Sequence, residues 1–190
     1  AVAPHGKSGK NLMSDSFGSV YRGRRVFVTG HTGFKGSWLS LWLVQLGAEV
    51  TGYSVDIPTT PSLFEACQLD RQIQHVVGDV RDATRLADAL SRSRAEFVFH
   101  LAAQSLVRRS YADPATTFGT NVLGSVNLLE AVRQSSTVRC LVYTTSDKCY
   151  QNQEWPWPYR EHDALGGSDP YAASKACAEL VFSSYCQSFF

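Results

Sequence analysis

The chain has 190 residues, a 44% apolar share and a formal net charge of +1. That length fits one domain with a substantial core, and so balanced a charge gives no general electrostatic case for nucleic acid or an anionic membrane as partner. No apolar run approaches the ~18 residues of a transmembrane helix, and the N-terminus lacks the apolar core of a signal peptide.

Residues 1–20 are rich in Gly, Ser and Lys without periodicity, and are expected to be a disordered or appended extension. The fold is assigned to residues 21–190. Val26 to Val28 reads as a first strand, followed by the turn Thr29-Gly30-His31-Thr32-Gly33-Phe34-Lys35-Gly36 and a helix from Ser37 to Leu46. That helix carries Trp38, Leu39, Trp42, Leu43 and Leu46 at i, i+3, i+4 spacing, and the two tryptophans are expected in the core. Gly47 stops it. Val50 to Tyr53 is a second strand, Ser62 to Leu69 a short helix, and Ile73 to Val77 a third strand ended by Gly78-Asp79. Asp82 caps a helix running to about Ser91. Glu96 to His100 is a fourth strand, Pro114 starts a long helix through Asn121 and Val132, and Leu141 to Thr144 is a fifth strand. Gln151 to Ser168 is a Trp- and Pro-rich loop, with Trp155 and Trp157 expected to pack it onto the sheet. Pro170 opens the last helix. Alternating strands and helices mean βαβ units, hence an α/β, doubly wound parallel sheet of Rossmann type. Its ligand is expected at the carboxyl ends of the strands, where Gly30, Asp79, Leu101 to Ala103 and Ser146 fall. The five cysteines, Cys67, Cys140, Cys149, Cys177 and Cys186, form no CxxC pair. They read as reduced thiols of a cytoplasmic protein, mostly small buried apolar groups, with no metal site.

The strand–turn–helix order gives the three glycines their meaning. Gly30 allows a tight bend, Gly33 lets the backbone approach a ligand, and Gly36 lets helix and strand pack closely. The helix N-terminus offers free N–H groups and about half a positive charge to a pyrophosphate. A purely structural turn is the competing reading of the glycines alone. An acid for the adenosine ribose is expected ~20 residues on. Asp56 falls two residues late and no arginine stands beside it for a 2′-phosphate, so NAD is preferred over NADP. Asp79 reads either as a contact to the adenine edge or as a turn residue beside Gly78.

Three stretches carry chemistry. In Tyr171-Ala172-Ala173-Ser174-Lys175 the phenol and the ammonium share a helix face at i, i+4. Making a phenol a base at pH 7 needs its pKa lowered by about 3 units, about 4 kcal/mol, which one cation at ~4 Å supplies at an effective dielectric of ~20. In Thr144-Thr145-Ser146-Asp147-Lys148-Cys149-Tyr150 a strand-end hydroxyl is placed to bond the same substrate oxygen, or the stretch is a polar turn. Asn121, polar in an apolar helix, holds a water or satisfies backbone groups.

In this order the glycine turn, Asp79, Leu101-Ala102-Ala103, Asn121, Ser146, Tyr171 and Lys175 resemble the extended short-chain dehydrogenase/reductase family, over essentially all of residues 24–190. Within it, segments 31–38, 100–108, 146–150 and 166–171 are similar to its sugar-nucleotide 4,6-dehydratases. The resemblance implies NAD held by Gly30, Thr32, Gly33, Phe34, Gly36, Asp79, Val80, Leu101, Ala102, Ala103, Asn121, Tyr171 and Lys175. It implies CDP-glucose or a related nucleotide sugar as substrate, oxidised transiently at carbon 4, dehydrated across carbons 5 and 6, and reduced again. Tyr171 would take the 4-hydroxyl proton with Ser146 sharing the hydrogen bond, Lys175 would hold Tyr171 and the nicotinamide ribose, and Asp147 would protonate the departing 6-hydroxyl. Lys148 stands where related dTDP-glucose enzymes have glutamate; it is either a base, if burial lowers its pKa, or a cation that stabilises an enolate. Relatives carry further strands and a substrate lobe, so the domain is expected to be incomplete here and the C-terminal substrate domain absent. The same analogy suggests a homodimer. Two other readings stay open: a nucleotide-sugar 4-epimerase, which needs no acid and base after the serine, and a non-catalytic dinucleotide-sensing protein, in which the Tyr/Lys pair tends to be lost.

Overall fold

The computed structural model describes residues 16–190. Most of the 1–20 segment therefore lies outside the described residues. Its last residues form a turn over Ser16–Ser19, with the Phe17 ring 5.4 Å from that of Trp42.

Five strands form one parallel sheet in the order β3-β2-β1-β4-β5: β1 (Arg25–Thr29), β2 (Glu49–Ser54), β3 (Gln74–Val77), β4 (Phe97–His100) and β5 (Cys140–Tyr143). Each joins the next through helical segments, as parallel pairing requires. The order reverses between β1 and β4, and the carboxyl ends of these two strands meet there: Leu101 N–H donates to Thr29 O at 3.1 Å. Neighbouring residues point to opposite faces, so β1 feeds two cores. Phe27 joins Tyr53, Leu86, Leu90, Val98 and Leu128 on one side. Val26 and Val28 join Leu43, Val50, Phe64 and Phe99 on the other.

The helices are α1 (Phe34–Gln45), α2 (Leu63–Ala66), α3 (Ala83–Ser93), α4 (Val107–Ala112), α5 (Pro114–Phe118), α6 (Gly124–Gln134) and α7 (Pro170–Ser188). A π turn at Gly119–Leu123 joins α5 to α6. The strands and most helices fall where the sequence puts them, with four corrections. Helix α1 begins at Phe34 rather than Ser37, because Gly33 takes the N-cap position. Helix α4 is an addition that no apolar period announces. Trp38 and Trp42 are 53% and 47% exposed, not core residues. The inward face of α1 is taken by Gly36, Ser37, Ser40 and Leu43, which lets the helix lie close to the sheet and turns the tryptophan face outward. Of the cysteines, all free thiols, only Cys149 is buried; Cys140 sits exposed on edge strand β5 and Cys186 near the exposed end of α7. No helix among the described residues is long and apolar enough to cross a membrane.

Candidate active site

The glycine turn caps the carboxyl end of β1. Gly30 has φ +74°, a region that side chains disfavour, and a Cβ on it would lie 2.7 Å from Ala102 N. Leu101-Ala102 thus passes directly over the turn, anchored by Leu101 N–H and Ala102 N–H, which both donate to Thr29 Oγ1 at 3.2 Å. A Cβ on Gly36 would sit 2.1 Å from Gly30 O, so this glycine seats α1 on its own turn. Gly33 differs: a Cβ there meets only Gly30 O, at 3.4 Å. Nothing in the fold demands glycine at Gly33, which leaves bare backbone and open space at the helix N-terminus. No side chain caps that terminus, and its first N–H groups have no intrahelical partners. A pyrophosphate fits this cradle by charge and by space.

The turn is fixed from below by a chain of polar groups. His31 is fully buried, with Nδ1 2.9 Å from Ser54 Oγ and Nε2 2.7 Å from His75 Nδ1. Gly52 makes room for it, since a Cβ there would lie 2.3 Å from the imidazole. Burial first, then the neighbouring His75, lowers the His31 pKa to about 4, so the ring is neutral at pH 7. Thr32 Oγ1 donates to Asp56 O at 2.6 Å. Asp79 takes the turn role: its carboxylate accepts from Arg81 N–H at 2.9 Å and from the Arg81 guanidinium at 2.5 Å, and this guanidinium holds it below the usual carboxylate range. Val80 is buried in the core, where a Cβ on Gly124 would touch it. Phe34 is 76% exposed on the first turn of α1.

Helix α7 starts in the way its sequence dictates. Asp169 accepts from Ala172 N–H at 2.9 Å as N-cap, and Pro170 occupies the first turn. Tyr171 and Lys175 then fall on one face, and both are buried. Burial pulls the Lys175 pKa down to about 8; Glu179 opposes this and Lys35, from the glycine turn, adds to it. Asn121, in the π turn, is a structural hub. Its amide accepts from Gln104 N–H at 2.8 Å and donates to Gln104 O at 3.0 Å and Ser174 Oγ at 2.8 Å. It ties the segment after β4 to the helix of the Tyr/Lys pair. Gln104 and Ser174 are the partners that sequence reasoning missed. Their only signal in the chain is that both are polar residues inside the stretches already singled out; the structure buries them.

Ser146 caps a 3-10 turn at Asp147–Cys149, accepting from Lys148 N–H at 3.3 Å and donating to Asp147 Oδ1 at 3.1 Å. Asp147 and Lys148 are exposed and line a cavity of about 590 Å³. Asp169 and Ala172 of the α7 start form one wall, and Tyr150, Asn152 and Tyr159 another. The loop that follows β5 folds on itself rather than onto the sheet: Trp155 and Trp157 stack at 5.4 Å, Trp155 meets Tyr159 at 5.5 Å, and Tyr159 stacks on Tyr150 at 5.2 Å. Trp157 remains 55% exposed.

Residues 27–189 match the family model described as GDP-mannose 4,6 dehydratase. A CDP-glucose 4,6-dehydratase of Salmonella typhimurium is 55% identical over 172 residues, covering 90% of this chain and 48% of that protein. A UDP-glucose 4-epimerase of Mycolicibacterium smegmatis is 33% identical over 161 residues, 85% of this chain and 51% of that one. Among solved structures, the UDP-glucose 4-epimerase of Thermus thermophilus in complex with NAD superposes with a TM-score of 0.76 at 32% identity, covering 87% of this chain and 51% of that one. The chain thus spans about half the length of these relatives.

Proposed function

The chain belongs to the GDP-mannose 4,6-dehydratase family, and from that premise we propose that it is the cofactor-binding and catalytic part of an NAD-dependent CDP-glucose 4,6-dehydratase, a lyase. The observation that carries this reading is the buried Tyr171–Lys175 pair on α7, the helix whose start supplies Asp169 and Ala172 to the cavity that Asp147 and Lys148 line. The similarity to the Salmonella CDP-glucose enzyme supports it. The pyrophosphate of NAD would lie on the Gly33 cradle, and NAD when bound supplies hydride acceptance at carbon 4 and return at carbon 6. In this reading Tyr171 accepts the proton of the sugar 4-hydroxyl, and Ser146 shares the hydrogen bond. Lys175, held as an ammonium, stabilises the phenolate. The ketone at carbon 4 acidifies carbon 5. Asp147 protonates the departing 6-hydroxyl. Lys148, exposed on the cavity wall, takes the carbon 5 proton as a free amine and returns it when hydride reaches carbon 6, and in between stabilises as a cation the negative charge on the carbon 4 oxygen.

An epimerase needs Ser146, Tyr171 and Lys175 but no acid and base after the serine, so Asp147-Lys148 on the cavity wall favours dehydration. The test is mass spectrometry of CDP-, dTDP-, UDP- and GDP-glucose after incubation with NAD, using the chain alone and the chain extended to the length of its relatives. Loss of one water from CDP-glucose is the expected result. Conversion without mass change would assign an epimerase. No conversion of any sugar by the extended chain would assign a non-catalytic dinucleotide-binding role.

A further inference from the structure

Glu179 stands one helical turn beyond Lys175 on α7, at the same i, i+4 spacing that sets Lys175 beside Tyr171. It is half-buried. Its Oε1 accepts a hydrogen bond from Thr145 Oγ1, the residue immediately before Ser146. One carboxylate therefore touches the segment that carries Ser146 and shares a helix face with Lys175.

The surroundings of Lys175 show why that carboxylate matters. Cys149 of the 3-10 turn and Lys35 of α1 act on it from the elements packed around it, Glu179 acts from its own helix, and Lys175 in turn acts on His100 of β4. Burial pushes the Cys149 thiol up and the His100 imidazole down to about 3, so both are neutral at pH 7. Lys35 is a second cation. Among these groups Glu179 alone brings negative charge. Around Glu179 itself stand Tyr143 and Tyr150 with Cys149; burial holds the Tyr143 phenol up at about 12, so it brings no competing charge.

We propose that Glu179 is a positioning residue with two duties: it is the counter-charge that keeps the buried Lys175 an ammonium, and it is the anchor that fixes Thr145 and with it Ser146. The proposal rests on the dehydratase reading of Tyr171, Ser146 and Lys175. The two duties separate by substitution. Glu179→Gln keeps an acceptor for Thr145 and removes the charge. Thr145→Val keeps the charge and removes the bond.

The readout is the 13Cε resonance of Lys175 followed against pH in lysine-labelled protein. The sequence has five lysines, and Lys175→Arg assigns the signal. The titration midpoint is expected at about 8 in the parent and about 0.5 to 1 unit lower in Glu179→Gln. Thr145→Val should leave the midpoint in place and speed amide exchange of residues 146–149 about tenfold. Glu179→Met repeats the charge removal should the glutamine variant not fold. A midpoint unchanged to within about 0.2 unit in either charge-removing variant overturns the counter-charge role. Unchanged exchange in Thr145→Val overturns the anchor role. These measurements need no turnover, so they stand even if CDP-glucose proves not to be a substrate. Where it is one, Glu179→Gln should move the alkaline limb of the kcat profile down by the same amount with KM nearly constant. A merely structural glutamate would lower stability and leave that limb in place.

Discussion

At the glycine turn, Thr29 and His31 are fully buried and direct their polar atoms to neighbouring strands, whereas at the cavity Asp147 and Lys148 are exposed and Tyr159 is held by its own loop. Thr29 Oγ1 lies 2.7 Å from His100 Nδ1, and His31 spans from Ser54 on β2 to His75 on β3. The cavity side has a different construction. Tyr159 OH is within 3.1 Å of Asn152 Oδ1 and 2.8 Å of Gln153 N, all inside one loop. The loop neck closes by Gln151 N–H to Ala164 O and Gly166 N–H to Cys149 O, each 2.8 Å. The first region is part of the fold's core, so changing it changes stability. The second is attached to the fold at its neck, so changing it should leave stability nearly intact.

Acid is the strongest way to break this contrast. His31 and His100 are lowered to about 4 and about 3 by burial, against an ordinary 6.5. Below pH 6.5 the unfolded chain takes up protons that these folded rings refuse, so stability falls with pH from 6.5 toward 4 and is unaffected by these rings above 6.5. About 2 to 3 kcal/mol should be lost from each ring by pH 4.5. Urea unfolding at pH 7, 5.5 and 4.5 measures it; a constant midpoint would contradict neutral buried imidazoles.

Next in size is Gly36→Ala, whose methyl meets Gly30 O and His31 Cα, both backbone. It should cost about 4 kcal/mol, near the upper end for one substitution. Gly33→Ala, with only one contact at 3.4 Å, should fold normally and instead weaken NAD binding, measured by calorimetry. Equal stability losses in the two variants would erase the distinction between packing glycine and ligand glycine.

Lys148→Ala belongs to the exposed region. Water loss from CDP-glucose should fall at least about 100-fold, a barrier rise of about 2.7 kcal/mol, while thermal unfolding and NAD binding stay as they were. Turnover at the parent rate would remove Lys148 from the chemistry. The smallest effect belongs to Tyr159→Leu, which removes one face of a loop stack. Stability should change by less than about 1 kcal/mol, and KM for the nucleotide sugar should rise several-fold. A large loss of stability would show that the loop is part of the core after all.

Much of this was legible in the chain. The strand–glycine–helix order, the helix start at Pro170 and the i, i+4 spacing of Tyr171 and Lys175 are local patterns, and local patterns survive folding when short-range sterics and hydrogen bonds set them. Trp38 and Trp42 were misleading for a definable reason. An apolar stripe indicates a buried face only when a neighbouring element covers it, and here Ser37 and Ser40 lie on the covered side instead. Trp155 and Trp157 misled similarly, since a loop can satisfy its aromatics by stacking them on one another.

The order of elements, the parallel sheet and the identity of the cradle and of the Tyr/Lys helix follow from the sequence alone, because each rests on spacings of a few residues. Only the tertiary structure decides the rest. It sets Ala102 over Gly30, binds Asn121 to Gln104 and Ser174, commits Asp79 to Arg81, and brings Thr145 to Glu179. Asn121 reaches its two partners across 17 and 53 residues of chain. Which buried polar group meets which is settled by how the helices pack on the two faces of the sheet, where an unpaired group costs about 1 to 3 kcal/mol and so forces a partner.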